Sequence, residues 1–109
     1  MDQRLPALAD QLLLIERELR ALGMWAPEPP SDAALASSEP FCVDTLAFEE
    51  WLQWIFLPRM KLIIEIEAEL PHASGIRAMA EMVYAEQGAR VLPLLDALGT
   101  FDRLISEAS

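Results

Sequence analysis

Six aliphatic residues, Leu5, Leu8, Leu12, Ile15, Leu19 and Leu22, follow one another at alternating spacings of three and four. A strand would scatter them over both faces, because its side chains alternate with period two. An α-helix turns ~100° per residue and gathers them into one stripe. The chain must therefore open with an amphipathic helix, predicted over residues 3–22, which has to bury one side against other elements. Pro6 fits its first turn, where no backbone donor is needed, and Gly23 stands where a left-handed cap would end it. Leu13 and Leu14 widen the apolar surface as a bundle helix would, and the pattern is short for a free coiled coil.

The richest helical stretch is FEEWLQWIFLPRMKLIIEIEAEL, residues 48–70. The predicted helix begins near Thr45, with Asp44 or Thr45 as N-cap and Glu49 and Glu50 in the first turn, where the helix dipole favours acids. It is expected to reach Leu70, with Pro71 closing it. On an ideal wheel Phe48, Trp51, Leu52, Ile55, Leu62, Ile63, Ile66 and Leu70 form the core face. Trp54, Leu57, Met60 and Ile64 fall opposite, among Glu50, Gln53, Lys61 and Glu65, and Arg59 falls inside the apolar sector. Pro58 sits in the interior, where it removes a backbone bond and clashes with the preceding turn, a penalty of ~3 kcal/mol. A kink or a break is expected there, with a shift of angular phase that would decide where Arg59 points.

Between these helices, residues 27–44 carry Pro27, Pro29, Pro30 and Pro40 among small polar residues, which predicts a long loop with one helical turn at residues 31–36. Trp25 is expected to anchor its start on the core. A third helix is predicted over residues 76–87, capped by Ser74, with Ile76, Met79, Ala80 and Val83 on one face and Gly88 as breaker. A fourth, residues 90–98, should end at Gly99, before a final short helix through Phe101, Leu104 and Ile105. Nothing alternates with period two and no hairpin signal occurs. The fold class is all-α: one domain over residues 1–109, an antiparallel bundle of about four helices with one long Pro-rich loop.

The net charge of −10, from 18 acidic and 8 basic residues, argues against direct nucleic-acid binding, which relies on Lys and Arg at phosphates. It suits a basic protein partner. With one cysteine, Cys42, no intrachain disulfide forms, and a cytoplasmic location is expected. The N-terminal segment lacks the pattern of a signal peptide, and no uncharged apolar run approaches the ~20 residues of a membrane span. Cys42 and the single histidine, His72, lie too far apart to suggest a metal pair, and Cys42 reads as a buried structural thiol. His72 beside Pro71 reads as a turn residue. Glu65 and Glu69 share a helical spacing but lack the Glu-x-x-His partners of a di-metal bundle. No Gly-rich phosphate loop occurs. Neither a catalytic residue nor a cofactor site is expected.

Residues 39–65, EPFCVDTLAFEEWLQWIFLPRMKLIIE, resemble the YqcC-like proteins of proteobacteria. The resemblance rests on a Pro-Phe-Cys-x-Asp-Thr entry, a Trp-Leu-Gln and a Phe-Leu-Pro-Arg-Met. The leading leucine-rich helix, the Pro-rich loop and SGIRAMAEMVY extend it over most of the chain. It implies a small helical bundle. Members are often encoded beside a tRNA pseudouridine synthase, which implies a helper or partner of that enzyme, with no catalytic residues to carry over. Together these readings describe a non-catalytic protein-interaction module. Its expected partner-binding residues are Phe41, Asp44, Trp51, Trp54, Leu57, Pro58, Arg59 and Met60, with Trp54, Leu57 and Met60 as apolar anchors and Arg59 as a charged contact. The alternatives are a pocket for an apolar acid lined by Trp51, Trp54, Phe56 and Arg59, or an obligate homodimer with the second helix as seam.

Overall fold

The computed structural model describes residues 3–71 and 74–106, and every regular element among them is helical. Helix α1, Leu5–Ala21, buries Leu5, Leu8, Leu12, Ile15 and Leu19, the stripe read from the sequence. It closes on Gly23 at φ 74°, with Gly23 N–H donating to Arg20 O and Met24 N–H to Leu19 O. This pair of bonds is the Schellman closure, and glycine adopts its left-handed residue without strain. Leu13 and Leu14 do not widen the buried face: both are exposed.

The Pro-rich segment is folded onto itself. Ser31 caps the single turn α2, Asp32–Leu35, by accepting from Ala34 N–H. Neither Asp44 nor Thr45 caps the next helix. The Thr45 hydroxyl donates to Ala34 O at 2.7 Å, and Asp44 accepts from the Ser37 hydroxyl at 2.5 Å. Helix α3, Phe48–Trp51, starts after Ala47, whose N–H donates to the Glu50 carboxylate at 2.8 Å. The expected buried thiol is found: Cys42 lies in a 3-10 turn, Pro40–Cys42, beneath the loop.

The disturbance expected at Pro58 is found as a wide turn just before it, with the second α-helical segment beginning at Leu57. A wide turn, Leu52–Phe56, joins α3 to α4, Leu57–Glu65, and within it Leu57 N–H reaches back five residues to Leu52 O. In a regular α-helix residue 58 would donate to the carbonyl of residue 54, which a proline cannot do. The wide turn takes in one extra residue just before that point and so rotates everything after it by about one position, ~100°. The consequence for the core is large. Leu57 and Met60, read from the ideal wheel as outward, are 1 % and 3 % exposed. Leu62 and Ile66, read as core, are 55 % and 63 % exposed. Met60 takes the inward position the wheel gave to Arg59, and Arg59 turns to solvent.

The helix ends at Glu65 rather than Leu70. Glu67, at φ 54°, closes it with the same bond pair as Gly23: its N–H donates to Ile64 O and that of Ala68 to Ile63 O. Helix α5, Ile76–Val83, is capped from outside its own segment. Asp102 accepts from Ile76 N–H at 3.1 Å and Arg77 N–H at 2.8 Å, while Ser74, the expected cap, donates its hydroxyl to the same carboxylate. Val83 is exposed and Tyr84 takes the buried place after Ala80. His72 lies outside the described residues. A 3-10 segment, Ala85–Val91, leads into α6, Leu92–Ser106, which runs straight through Gly99. A Cβ at Gly99 would stand 2.9 Å from Arg77 Cδ, so this glycine leaves room for the arginine side chain to cross α6 rather than ending the helix.

Helices α1 and α6 lie antiparallel and are tied at both ends by arginines. Arg4 donates to the carbonyls of Leu104 and Ile105 at 2.8 and 3.2 Å, and Arg90 donates to Leu22 O at 2.8 Å. Each guanidinium thus satisfies carbonyls that a helix end leaves without intrahelical donors. The antiparallel bundle is observed as expected, with α1, the 48–65 rod, α5 and α6 as its main members.

Candidate docking face and an adjoining groove

The wide turn divides the expected partner-binding residues between two sides of the 48–65 rod. On one side Phe41, Trp51, Ile55, Arg59, Met60 and Pro71 line a pocket of about 280 Å³. Its wall is an aromatic relay. Phe41 meets Trp51 edge-on at 4.8 Å, Trp51 stacks on Phe56 at 5.5 Å, and Phe56 meets the buried Phe101 edge-on at 5.0 Å. Phe41 and Cys42 both have positive φ, 57° and 49°. A non-glycine residue in this region is strained by ~1–2 kcal/mol. Here that strain turns the Phe41 ring onto Trp51 and the Cys42 side chain inward. Arg59 stands exposed at the pocket mouth and has no ion-pair or hydrogen-bond partner among the described residues.

On the other side Trp25, Pro27, Trp54, Leu57 and Pro58, with Arg20 and Lys61, line an open groove of about 640 Å³. Trp54 is half-buried, and its indole N–H is shut off from solvent with no acceptor among the described residues. Trp25 anchors the loop as expected and lies under the Arg20 guanidinium at 4.5 Å. Arg20 and Lys61 also hold Glu16, at 3.1 and 3.3 Å. Burial pushes the Glu16 carboxyl up, but the two hydrogen bonds and the two positive charges outweigh it and hold it below the usual carboxylate range.

The structure places the expected residues differently at three points. Leu57 and Met60 belong to the core and contribute only edges to the pocket walls. Asp44 lines neither cavity and is occupied by Ser37. Trp54 does not share a face with Arg59: the two line different cavities.

Gln53 was missed as a structural residue. It is 5 % exposed, and its carboxamide accepts from Ala26 N–H and donates to Ala26 O, both at 2.8 Å. A carboxamide flanked by apolar residues is the one signal that could have flagged it, but its partner, 27 residues away, is not visible in a local pattern. Tyr84 was missed too. Its hydroxyl donates to Glu49 at 2.9 Å, and burial, with the Glu49 charge, pushes its pKa well above the tyrosine range. Among the described residues no group of three His, Cys, Asp or Glu is placed to hold a metal ion. No helix among them is long and apolar enough to cross a membrane.

Comparison with known proteins places this architecture. Residues 7–104 match the model of a family described as tRNA pseudouridine synthase C (DUF446). A protein of Pectobacterium carotovorum subsp. carotovorum named tRNA pseudouridine synthase C is 49 % identical over 59 residues, which are 54 % of this chain but only 16 % of that protein. YqcC of Escherichia coli K12 is 31 % identical over 97 residues, 89 % of each chain. The solution NMR structure of E. coli YqcC superposes with a TM-score of 0.86 at 28 % identity, covering 99 % of this chain and 92 % of that one. With nearly its whole length matched by the family model and its fold shared with YqcC, the chain belongs to the YqcC-like family.

Proposed function

We propose that this chain is a non-catalytic accessory protein that docks on a tRNA pseudouridine synthase through the Phe41–Trp51–Arg59 face. The observation that carries the reading is the Pectobacterium match. A segment 49 % identical to this chain makes up 16 % of a protein with that name, which associates such a segment with a much longer enzyme. The geometry supports docking over chemistry. The pocket wall is chiefly Phe, Trp, Ile, Met and Pro with Arg59 at the mouth, and the Ser74 hydroxyl that also lines it is bound to Asp102, the carboxylate that caps α5. Its volume lies at the lower edge of the ~300–1,000 Å³ of small-molecule sites and suits one anchoring side chain of a partner. Aromatic and arginine residues in such a setting are the usual carriers of interface energy.

The test is titration calorimetry of the purified chain against the tRNA pseudouridine synthase from the same genome. The Arg59→Glu variant, exposed and expected to fold, should bind at least ~30-fold more weakly, since a hot-spot arginine contributes ~2 kcal/mol or more. No binding by the wild type, or equal binding by Arg59→Glu, would remove this reading.

A further inference from the structure

We infer that the groove between the Pro-rich loop and the wide turn is a binding site for a small apolar carboxylate, separate from the docking face. Four observations converge on it. The cavity of about 640 Å³ is well within the range of small-molecule sites and more than twice the volume of the pocket beside Arg59. Its walls are two indoles, two prolines and a leucine, which match a flat or branched hydrocarbon body. Although the chain carries 18 acidic and 8 basic residues, no acid lines this groove and two of the cations do. Glu16, which pairs with both cations from outside the lining, leaves the local sum at one net positive charge. Lastly, the Trp54 indole N–H is buried with no acceptor, a condition native interiors rarely leave unexplained. Turning this half-buried ring so that its N–H faces the groove would replace that unmade bond with one to a carboxylate oxygen. The Lys61 ammonium would provide the charge-assisted contact.

The arrangement is built rather than incidental. Gln53 fixes Ala26 by two hydrogen bonds and so sets the separation of the loop wall from the helix wall. Arg20 lies on Trp25 and stiffens the outer indole. The site would take an aromatic or branched aliphatic acid, hydrocarbon between the indoles and carboxylate toward Lys61.

The experiment is a titration of 15N-labelled protein with 2-naphthoate and, separately, with its uncharged isostere 2-naphthamide. The three indole N–H signals are assigned through single Trp→Phe variants. The expected result is a saturable shift of the Trp54 and Trp25 signals by 2-naphthoate, with Trp51 unmoved. The amide should bind about ten-fold more weakly, since it lacks the charge-assisted bond. Lys61→Gln, at an exposed position, should weaken 2-naphthoate several-fold and leave the amide unchanged. Equal affinity for acid and amide would show an apolar cleft without carboxylate recognition and overturn the proposal. Shifts confined to Trp51, or no saturable shift up to the solubility limit, would overturn it too. Loss of synthase docking in Arg59→Glu with intact naphthoate binding would show the two sites to be independent.

Discussion

The carboxamide of Gln53 closes a two-bond ring with the backbone of Ala26, giving one hydrogen bond and taking one, each 2.8 Å long. This is a strand-like pairing made by a side chain, and it holds the start of the Pro-rich loop on the wide turn of the second helix. Replacing Gln53 with Leu keeps approximate volume but leaves the Ala26 N–H and C=O without partners in a part-buried site. The expected loss is about 2–3 kcal/mol of unfolding free energy, measured by urea denaturation. Amide exchange at Ala26 should accelerate while exchange within α1 follows global stability. A variant as stable as the wild type would mean that water replaces the carboxamide at no loss.

Two left-handed residues invite opposite predictions. Glu67 closes its helix at φ 54° with a side chain that gains nothing visible from that backbone, and its negative charge lies at the unfavourable end of the helix dipole. Glu67→Gly should raise stability by ~0.5–1 kcal/mol, the relief of strain exceeding the added unfolded-state entropy. Phe41, at φ 57°, holds its ring against Trp51 and Phe48. Phe41→Gly should lower stability, because losing a packed aromatic outweighs the same relief. Thermal unfolding of both variants checks the contrast, and a gain from both would show that the Phe41 contacts contribute little.

What the sequence made legible was the part governed by short periods. The α1 stripe, the Gly23 cap, the turn at Ser31, the buried Cys42 and the four main helices all follow from local spacing or local chemistry. What it hid depends on one inserted residue. An ideal wheel carried past Pro58 assigns Leu62 and Ile66 inward and Leu57 and Met60 outward, and each assignment is reversed by the wide turn. Proline warned of a disturbance there, but a kink, a break and a wide turn share the same local signal. Asp102 capping α5 and Gly99 admitting Arg77 are contacts across the bundle, so Ser74 and Gly99 were read by their commonest local roles instead.

Pro58 accounts for the wide turn only in part. Returning residues 52–58 to a regular α-helix would rotate Met60 out of the core and bring Arg59 toward it, at the penalty of an exposed thioether and a desolvated guanidinium. The burial pattern therefore holds the turn as well. Pro58→Ala should retain it, with stability within ~1 kcal/mol of the wild type, although an interior proline nominally disfavours a helix by ~3 kcal/mol. The check is a 15N-HSQC spectrum in which changes stay within a turn of residue 58, together with a denaturation midpoint. Widespread shifts across 59–65 would mean that the proline itself sets the phase.

Glu16 and the groove cations give a prediction on the acid side. Its carboxyl is held below the usual range in the folded chain, so the unfolded chain takes up the proton first as pH falls. The contribution is fully present above the unfolded glutamate value, ~4.3, and is lost as pH falls through the folded one. Both cations are about half exposed, so it is modest, ~0.5 kcal/mol. Glu16→Gln should be less stable than the wild type at neutral pH by that amount and converge with it in acid. A constant offset across the range would assign the loss to packing instead.

Tyr84 gives the mirror prediction on the alkaline side, and the chain's single tyrosine makes it directly readable. Burial and the Glu49 carboxylate both disfavour the phenolate, so the folded pKa lies above the unfolded value of ~10. The sign follows from linkage. Below the unfolded pKa the stabilisation is fully present. As pH rises past it, the unfolded chain releases a proton that the folded chain keeps, and stability falls until the folded pKa is reached. Tyrosinate absorbance in an alkaline titration should therefore appear together with loss of helical circular dichroism, not before it. Tyr84→Phe should remove this part of the alkaline decline and be less stable at neutral pH by ~1–2 kcal/mol, because the hydroxyl's bond to Glu49 is lost. Absorbance rising near pH ~10 with the helices intact would show that the phenol reaches solvent in the folded state and that the Glu49 contact does not hold it.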